Sequence, residues 1–311
     1  MEILRITGLT KRYGRIVALD NIELEVMERD CLGLLGPNGA GKTTTIKIIT
    51  GLLKPNKGQV YIRDINVVEH PEKALKHVGA MIESPEFYPE LTPRQILTYI
   101  GKLRGIPKSQ LKGLIKDAIV KVRMEEWIDT PTGKFSKGMK QRIALAQAFF
   151  THPELIILDE PSLGLDPRGM VEIRQIIKDL NREGATILMA SHLLNEVQQV
   201  CTSVALINKG KIILREDISA LDKVIRQLLY EVKFIDEVNE SVLDAINNIK
   251  GITGAKIVDK NTVALTINGT AEVVEKVLRS LVNELNLRVI EFKMSNNLLE
   301  SLYMDLVKEV S

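Results

Sequence analysis

Residues Cys31-Leu32-Gly33-Leu34-Leu35 run without a polar break into Gly36-Pro37-Asn38-Gly39-Ala40-Gly41-Lys42-Thr43-Thr44, and a helical stretch, Thr45 to Gly51, follows and closes on glycine. A buried strand, a glycine-rich loop and a helix in that order leave few alternatives, because the strand must lie inside a sheet and the loop must turn sharply into the helix. Gly36 to Thr43 fits the pattern G-x-x-x-x-G-K-[ST]. Glycines let backbone N–H groups converge on phosphate oxygens with no Cβ in the way, and the following helix N-terminus adds unsatisfied donors and the positive end of its dipole. Lys42 then reaches the β and γ phosphates of a nucleotide, and the Thr43 hydroxyl ligates Mg²⁺.

A magnesium–nucleotide site needs a second oxygen ligand at the end of a neighbouring buried strand, since Mg²⁺ takes carboxylate and water oxygens. Leu155-Ile156-Ile157-Leu158-Asp159 supplies one, and Glu160 comes next. At a strand end the Glu160 carboxylate can point towards the γ phosphate and act as a general base on an attacking water.

Patterning organises the rest. Ile3, Ile6 and Leu9, then Ile22, Leu24 and Val26, read as strands of a half-exposed antiparallel sheet. From about residue 85 to 150 the reading is helical. Thr92-Pro93 opens a helix carrying Ile96, Leu97, Ile100 and Leu103, Leu111 to Val122 makes a second, Gly133 to Gly138 is a loop, and Met139 to Phe150 makes a third. Strand Leu155 to Leu158, helix Val171 to Arg182, strand Thr186 to Ala190 and helix His192 to Val200 then alternate, as in a mostly parallel sheet covered on both faces.

Beyond residue 220 the order changes to strand Tyr230 to Phe234, helix Ser241 to Ile249, a hairpin of Ala255 to Val258 and Thr262 to Ile267, helix Ala271 to Glu284, strand Arg288 to Lys293 and a last helix from Leu298. This is the βαββαβ order of a ferredoxin-like split βαβ. The charge balance shifts at the same place: Leu221 to Ser311 holds 11 Lys and Arg against 14 Asp and Glu, net −3, leaving +5 for the first 220 residues. Two domains are expected, 1–220 with a helical subdomain at about 85–150, and 221–311.

Composition removes several classes of function. The whole-chain charge of +2 provides no strong field for nucleic acid. No apolar run approaches the roughly 18 residues of a membrane helix. The N-terminal MEILRITGLTKRYG has no basic segment followed by an apolar one, so a cytoplasmic chain is expected. Cys31 and Cys201, set among apolar or small residues, read as reduced structural thiols, and Trp127 as packing for the helical subdomain.

Further segments carry a resemblance. Phe135-Ser136-Lys137-Gly138-Met139-Lys140-Gln141-Arg142 resembles the signature motif of ATP-binding-cassette (ABC) ATPases, Pro161-Ser162-Leu163-Gly164-Leu165-Asp166-Pro167 their D-loop region, and Ser191-His192 their switch histidine. Tyr13 sits where that family places the aromatic that stacks on adenine. The motifs fall in the family order over residues 3 to about 215. The resemblance implies an α/β P-loop NTPase fold with a mixed sheet, an antiparallel β subdomain and a helical signature subdomain, followed by the small α+β ferredoxin-like domain.

It also implies a mechanism. Two cassettes face each other head to tail, and ATP with Mg²⁺, bound at the Gly36 to Thr44 loop, Asp159 and Tyr13 of one, is sealed by Ser136 and Gly138 of the other. Glu160 would activate the water, His192 would contact the γ phosphate, and Asp166 would communicate across the interface. The implied partners are a second cassette, identical or different, and an integral membrane permease on a separate chain. The implied location is therefore peripheral, on the cytoplasmic face of the membrane, with no nucleic-acid partner.

The sequence departs from the family pattern at Lys137 and Met139, and at Glu83, which stands where the family carries a glutamine. Glutamate keeps an oxygen for Mg²⁺ or the attacking water, adds charge and loses the NH₂ donor. The Ile82-Glu83-Ser84-Pro85-Glu86-Phe87-Tyr88 context is similar to export-type cassettes related to bacitracin-resistance and multidrug exporters, whose permease helix docks near Glu83 to Leu91, with Phe87 and Tyr88 as contact candidates. A soluble ABC ATPase acting on nucleic acid or ribosomes, and a nucleotide-sensing regulator, are the competing readings. The first would bring two cassettes in one chain, coiled coils or zinc-binding cysteines.

Overall fold

The computed structural model, which describes residues 1–83, 85–220, 229–268 and 271–294, opens on two long strands, β1 (Glu2–Tyr13) and β2 (Ile16–Met27), paired antiparallel. Leu19, Ile22, Leu24 and Val26 of β2 are buried and the residues between them face outward or lie near the surface, as the period of two requires. Then come β3 (Cys31–Leu35) and α1 (Lys42–Ile49), β4 (Lys57–Ile62), β5 (Ile65–Asn66), the short α2 (Pro71–Ala74) and β6 (Val78–Met81). Strands β2, β1, β4 and β5 form the antiparallel sheet in that spatial order.

Three helices follow, α3 (Pro93–Leu103), α4 (Lys108–Lys121) and α5 (Lys137–Phe149). The Thr92 reading locates the start of α3, where a capping box closes: the Gln95 N–H donates to Thr92 Oγ1 (3.3 Å) and the Thr92 N–H to Gln95 Oε1 (2.9 Å). The chain then alternates through β7 (Leu155–Asp159), α6 (Pro167–Arg182), β8 (Thr186–Ser191), α7 (Leu194–Val200), β9 (Ser203–Asn208) and β10 (Lys211–Asp217). The central sheet runs β10-β9-β3-β8-β7-β6, parallel except for β10. Every residue of β3, β7, β8 and β9 is buried, as befits parallel strands covered on both faces.

The structure differs from the sequence reading in two places that matter for the site. Helix α1 starts at Lys42 rather than Thr45, because the turn is complete at Gly41, whose φ of 114° only glycine adopts readily. Helix α5 starts at Lys137, capped by the Ser136 hydroxyl, which accepts the Met139 N–H (3.3 Å), so Gly138 lies in the first helical turn and not in a loop.

The chain divides into two compact units, Met1–Ile218 and Ser219–Ser311. The second contains β11 (Leu229–Phe234), α8 (Glu240–Asn247), β12 (Ile252–Asp259), β13 (Thr262–Ile267), α9 (Ala271–Asn283) and β14 (Val289–Met294), its antiparallel sheet ordered β12-β13-β11-β14. Val232, Phe234, Ile246, Val263, Leu265, Ile267, Val277 and Leu281 form its own core. This is the ferredoxin-like arrangement. The helix expected from Leu298 lies outside the described residues, as does Ser84.

Candidate functional site

The loop from Gly36 to Gly41 joins the C-terminal end of β3 to α1 at the centre of the parallel sheet, where open α/β sheets bind ligands. A side chain at Gly36 would collide with the Ile207 carbonyl, which is why the loop can pack against β9. Pro37 accepts the Ala40 N–H (3.2 Å), Asn38 and Gly39 are exposed, and Thr43 and Thr44 are half-buried in the first turn of α1. Lys42 is buried, and its Nζ donates to the carbonyls of Gly36 (2.7 Å) and Pro37 (3.2 Å) while standing 3.4 Å from Glu160 Oε1.

Glu160 leaves β7 with φ of 49°, a left-handed backbone that turns its carboxylate back over the loop. Its N–H is held by the Ala190 carbonyl (3.0 Å) of β8. Oε2 lies 2.8 Å from His192 Nδ1, and the His192 backbone N–H donates to the same oxygen (3.4 Å). A carboxylate only accepts, so Nδ1 carries the proton and Nε2 is left for a substrate. Lys42, Glu160 and His192, which the sequence places far apart, thus form one contact chain.

Asp159 is 2% exposed and its Oδ1 has no hydrogen-bond partner. Burial pushes its pKa up, the charges of Glu160 and Glu83 push the same way, and the Thr43 hydroxyl, hydrogen-bonded to it, and Lys42 pull it down. A buried carboxylate oxygen without a partner, beside a threonine hydroxyl, is a suitable donor set for a hard cation. Among the described residues no group of three or more His, Cys, Asp or Glu is arranged to hold a metal unaided.

Thr43, Glu83, Gln141, Asp159, Glu160 and Leu163 enclose a cavity of about 200 Å³. Glu83 has φ of 61°, and its Oε1 is 2.6 Å from Lys47 Nζ in the last turn of α1. Gln141 is buried, its Nε2 donating to the Pro161 carbonyl (2.6 Å). A second cavity, of about 350 Å³, lies at the N-terminus of α5 and is lined by Ser136, Gly138, Gly164, Asp166 and Arg168 among others. Asp166 caps α6, accepting the Gly169 N–H (2.8 Å). The two cavities share no residue. Tyr13 ends β1 half-exposed, with Lys11 Nζ 5.3 Å from its ring centre, and lines neither cavity.

Sequence reasoning missed the residues that hold these groups in place. Buried Glu196 accepts from Ser162 Oγ and from Ser191 Oγ (3.3 Å), fastening the segment after Glu160 to the one before His192. Its position four residues after His192 is the only signal, and a helical glutamate ordinarily reads as surface. Lys47 gave none. Tyr88 is exposed and Phe87 half-buried, and Trp127 packs edge-on against Phe135 with ring centres 6.4 Å apart.

Residues 19–163 match the family described as ABC transporter. The chain is 41% identical over 232 residues to the uncharacterized ABC transporter ATP-binding protein YdbJ of Bacillus subtilis (strain 168), covering 74% of each. It is 41% identical over 212 residues to the bacitracin transport ATP-binding protein BcrA of Bacillus licheniformis, covering 68% of each. A dimeric structure of a bacterial ABC transporter cassette superposes with a TM-score of 0.62 at 25% identity, over 70% of this chain and 99% of that one.

Proposed function

The chain belongs to the ATP-binding subunits of ABC transporters, and from that premise we propose that it energises export through a separate membrane permease by hydrolysing ATP at a site shared between two copies. The observation that carries the catalytic assignment is the placement of Glu160 between Lys42 Nζ (3.4 Å) and His192 Nδ1 (2.8 Å), above the phosphate loop. Lys42 exchanges its carbonyl partners for phosphate oxygens. Glu160 accepts a proton from the water that attacks the γ phosphorus, the bond to the ADP oxygen breaks, and His192 Nε2 contacts the departing phosphate. Asp159 and Thr43 would hold Mg²⁺, with Glu83 facing the same cavity, and the ion would neutralise phosphate charge.

Ser136 and Gly138 line a different cavity from Thr43 and Asp159. Support for a head-to-tail dimer comes from that separation, since the α5 N-terminus offers a hydroxyl and free N–H groups suited to a phosphate of the facing copy. No helix among the described residues is long and apolar enough to cross a membrane; similarity to ATP-binding proteins of transporters supports a permease on another chain and a place beside it at the cytoplasmic face. Similarity to the bacitracin transport protein supports a transport role, and the export direction rests on the resemblance of the Ile82 to Tyr88 segment to export-type cassettes. Similarity to transporter ATP-binding proteins disfavours action on nucleic acid or ribosomes.

The test is Glu160→Gln. Its hydrolysis rate is expected to fall by about 10² to 10⁴, with ATP binding retained and a dimer appearing by size-exclusion chromatography with ATP and Mg²⁺. Turnover at the wild-type rate would overturn the general-base assignment.

A further inference from the structure

Three carboxylates, Asp159, Glu160 and Glu83, face the cavity of about 200 Å³, and each has a distinct partner. Glu160 has Lys42 and His192, Asp159 has the Thr43 hydroxyl, and Glu83 has Lys47. The last pairing is not part of the machinery described above. Lys47 stands four residues after Thr43 on α1, so the two side chains share a helix face about 6 Å apart at Cβ. The Glu83 carboxylate therefore has two cationic positions along one face of one helix: a divalent ion at Thr43, and the ammonium of Lys47 one turn further on.

The geometry fixes the relation between them. Glu83 Oε1 is 2.6 Å from Lys47 Nζ, a close ion pair, and Glu83 has a left-handed backbone. Lys47 lies in the last helical turn, where the carbonyl end of the dipole favours a cation. Its pKa is raised, first by its pairing with Glu83, towards which the ammonium donates, and further by the negative charges of Glu83 and Asp159. Asp159 Oδ1 meanwhile remains unpartnered and buried. A glutamine in place of Glu83 would present no charge for Lys47 to hold.

We propose that Lys47 is a positioning residue of the nucleotide site: its ammonium competes with the divalent ion for the Glu83 carboxylate and so sets how tightly the metal–nucleotide complex is held. This rests on the assignment of the cavity as the metal–nucleotide site. Lys47 acts through Glu83, its ion-pair partner.

The experiment titrates Mn²⁺ into the full-length chain with a non-hydrolysable ATP analogue and reads the bound ion by electron paramagnetic resonance, so that turnover plays no part. Lys47→Met keeps the length of the stem and removes the charge. It should lower the half-saturating Mn²⁺ concentration about threefold, the scale of a partly exposed ion pair, while Lys47→Arg keeps the wild-type value. In a Glu83→Gln background Lys47→Met should have no effect. An unchanged or raised half-saturation in Lys47→Met overturns the proposal, and so does an equal shift in the Glu83→Gln background, which would mean a general field rather than competition for one carboxylate. Failure of the wild-type chain to take up Mn²⁺ with the analogue would instead overturn the site assignment, and the proposal with it.

Discussion

Asp159 is placed against its own solvation. A carboxylate 2% exposed, with one oxygen unpartnered, is worse off ionised than it would be in the unfolded chain, and its raised pKa expresses that. The sign follows by linkage. A pKa raised on folding contributes stability that is full below the ordinary carboxylate pKa and is lost as pH rises through the raised value. Without divalent ions, the melting temperature should therefore fall with rising pH across that window. Asp159→Asn should flatten the fall and raise Tm at neutral pH by a few degrees, the displacement that about 1 kcal/mol produces in a domain of this size, while abolishing metal-dependent nucleotide binding. Thermal melts in chelator, compared between the two chains, measure both. The strand-end carboxylates and the loop lysine were legible because their residue types and spacing follow from phosphate chemistry. The partners Lys47 and Glu196 were not, because a lysine in a last helical turn and a glutamate on an amphipathic helix look the same whether they face water or a buried carboxylate's neighbour.

At the level of elements, the glycine loop located β3 and α1 but not where the helix begins, since Lys42 and Thr43 do not differ in helical propensity enough to mark a boundary that backbone turning at Gly41 decides. Strands β4 and β6 escaped pattern reading for another reason. Only Val60, Tyr61 and Ile62 of β4 are even partly covered, and β6 is four residues long, so neither leaves a period-two trace. The β9 strand is wholly buried, and a short apolar run of that kind does not distinguish strand from helix. At Thr92, followed by a proline, the reading found the helix start, whereas Ser136 and Asp166 cap α5 and α6 ahead of the starts that apolar spacing gave. The capping box at Thr92 predicts that Thr92→Ala lowers stability by about 1 kcal/mol and leaves nucleotide affinity unchanged, measured by denaturant unfolding and nucleotide titration. Cys31, at the start of β3, and Cys201, just after α7, are both buried and lie against each other, and their contact together with burial pushes the Cys201 thiol well up. Neither should react with a thiol reagent until the chain unfolds, so labelling should track denaturant unfolding of the nucleotide-binding unit, and rapid labelling of the native protein would contradict this packing.

The whole chain consists of two units with separate cores, and only the first contains the phosphate loop, the strand-end carboxylates and the signature segment. A chain ended after Ile218 should therefore bind nucleotide with the affinity of the full protein, as a titration of both would show. Within the first unit the residues proposed for the site fall in two places: Lys42, Asp159, Glu160 and His192 gather at the C-terminal ends of parallel strands, whereas Ser136 and Gly138 open on another cavity at the head of α5. A composite site between two copies can be probed by complementation between two inactive chains. Lys42→Ala removes the phosphate lysine and Ser136→Arg blocks the signature serine, so each homodimer is inactive. Mixed in equal amounts, half of the dimers should pair an intact loop with an intact Ser136 at one of their two sites, restoring hydrolysis to about a quarter of the wild-type rate. No recovery on mixing, or full activity of either variant alone, would contradict the account.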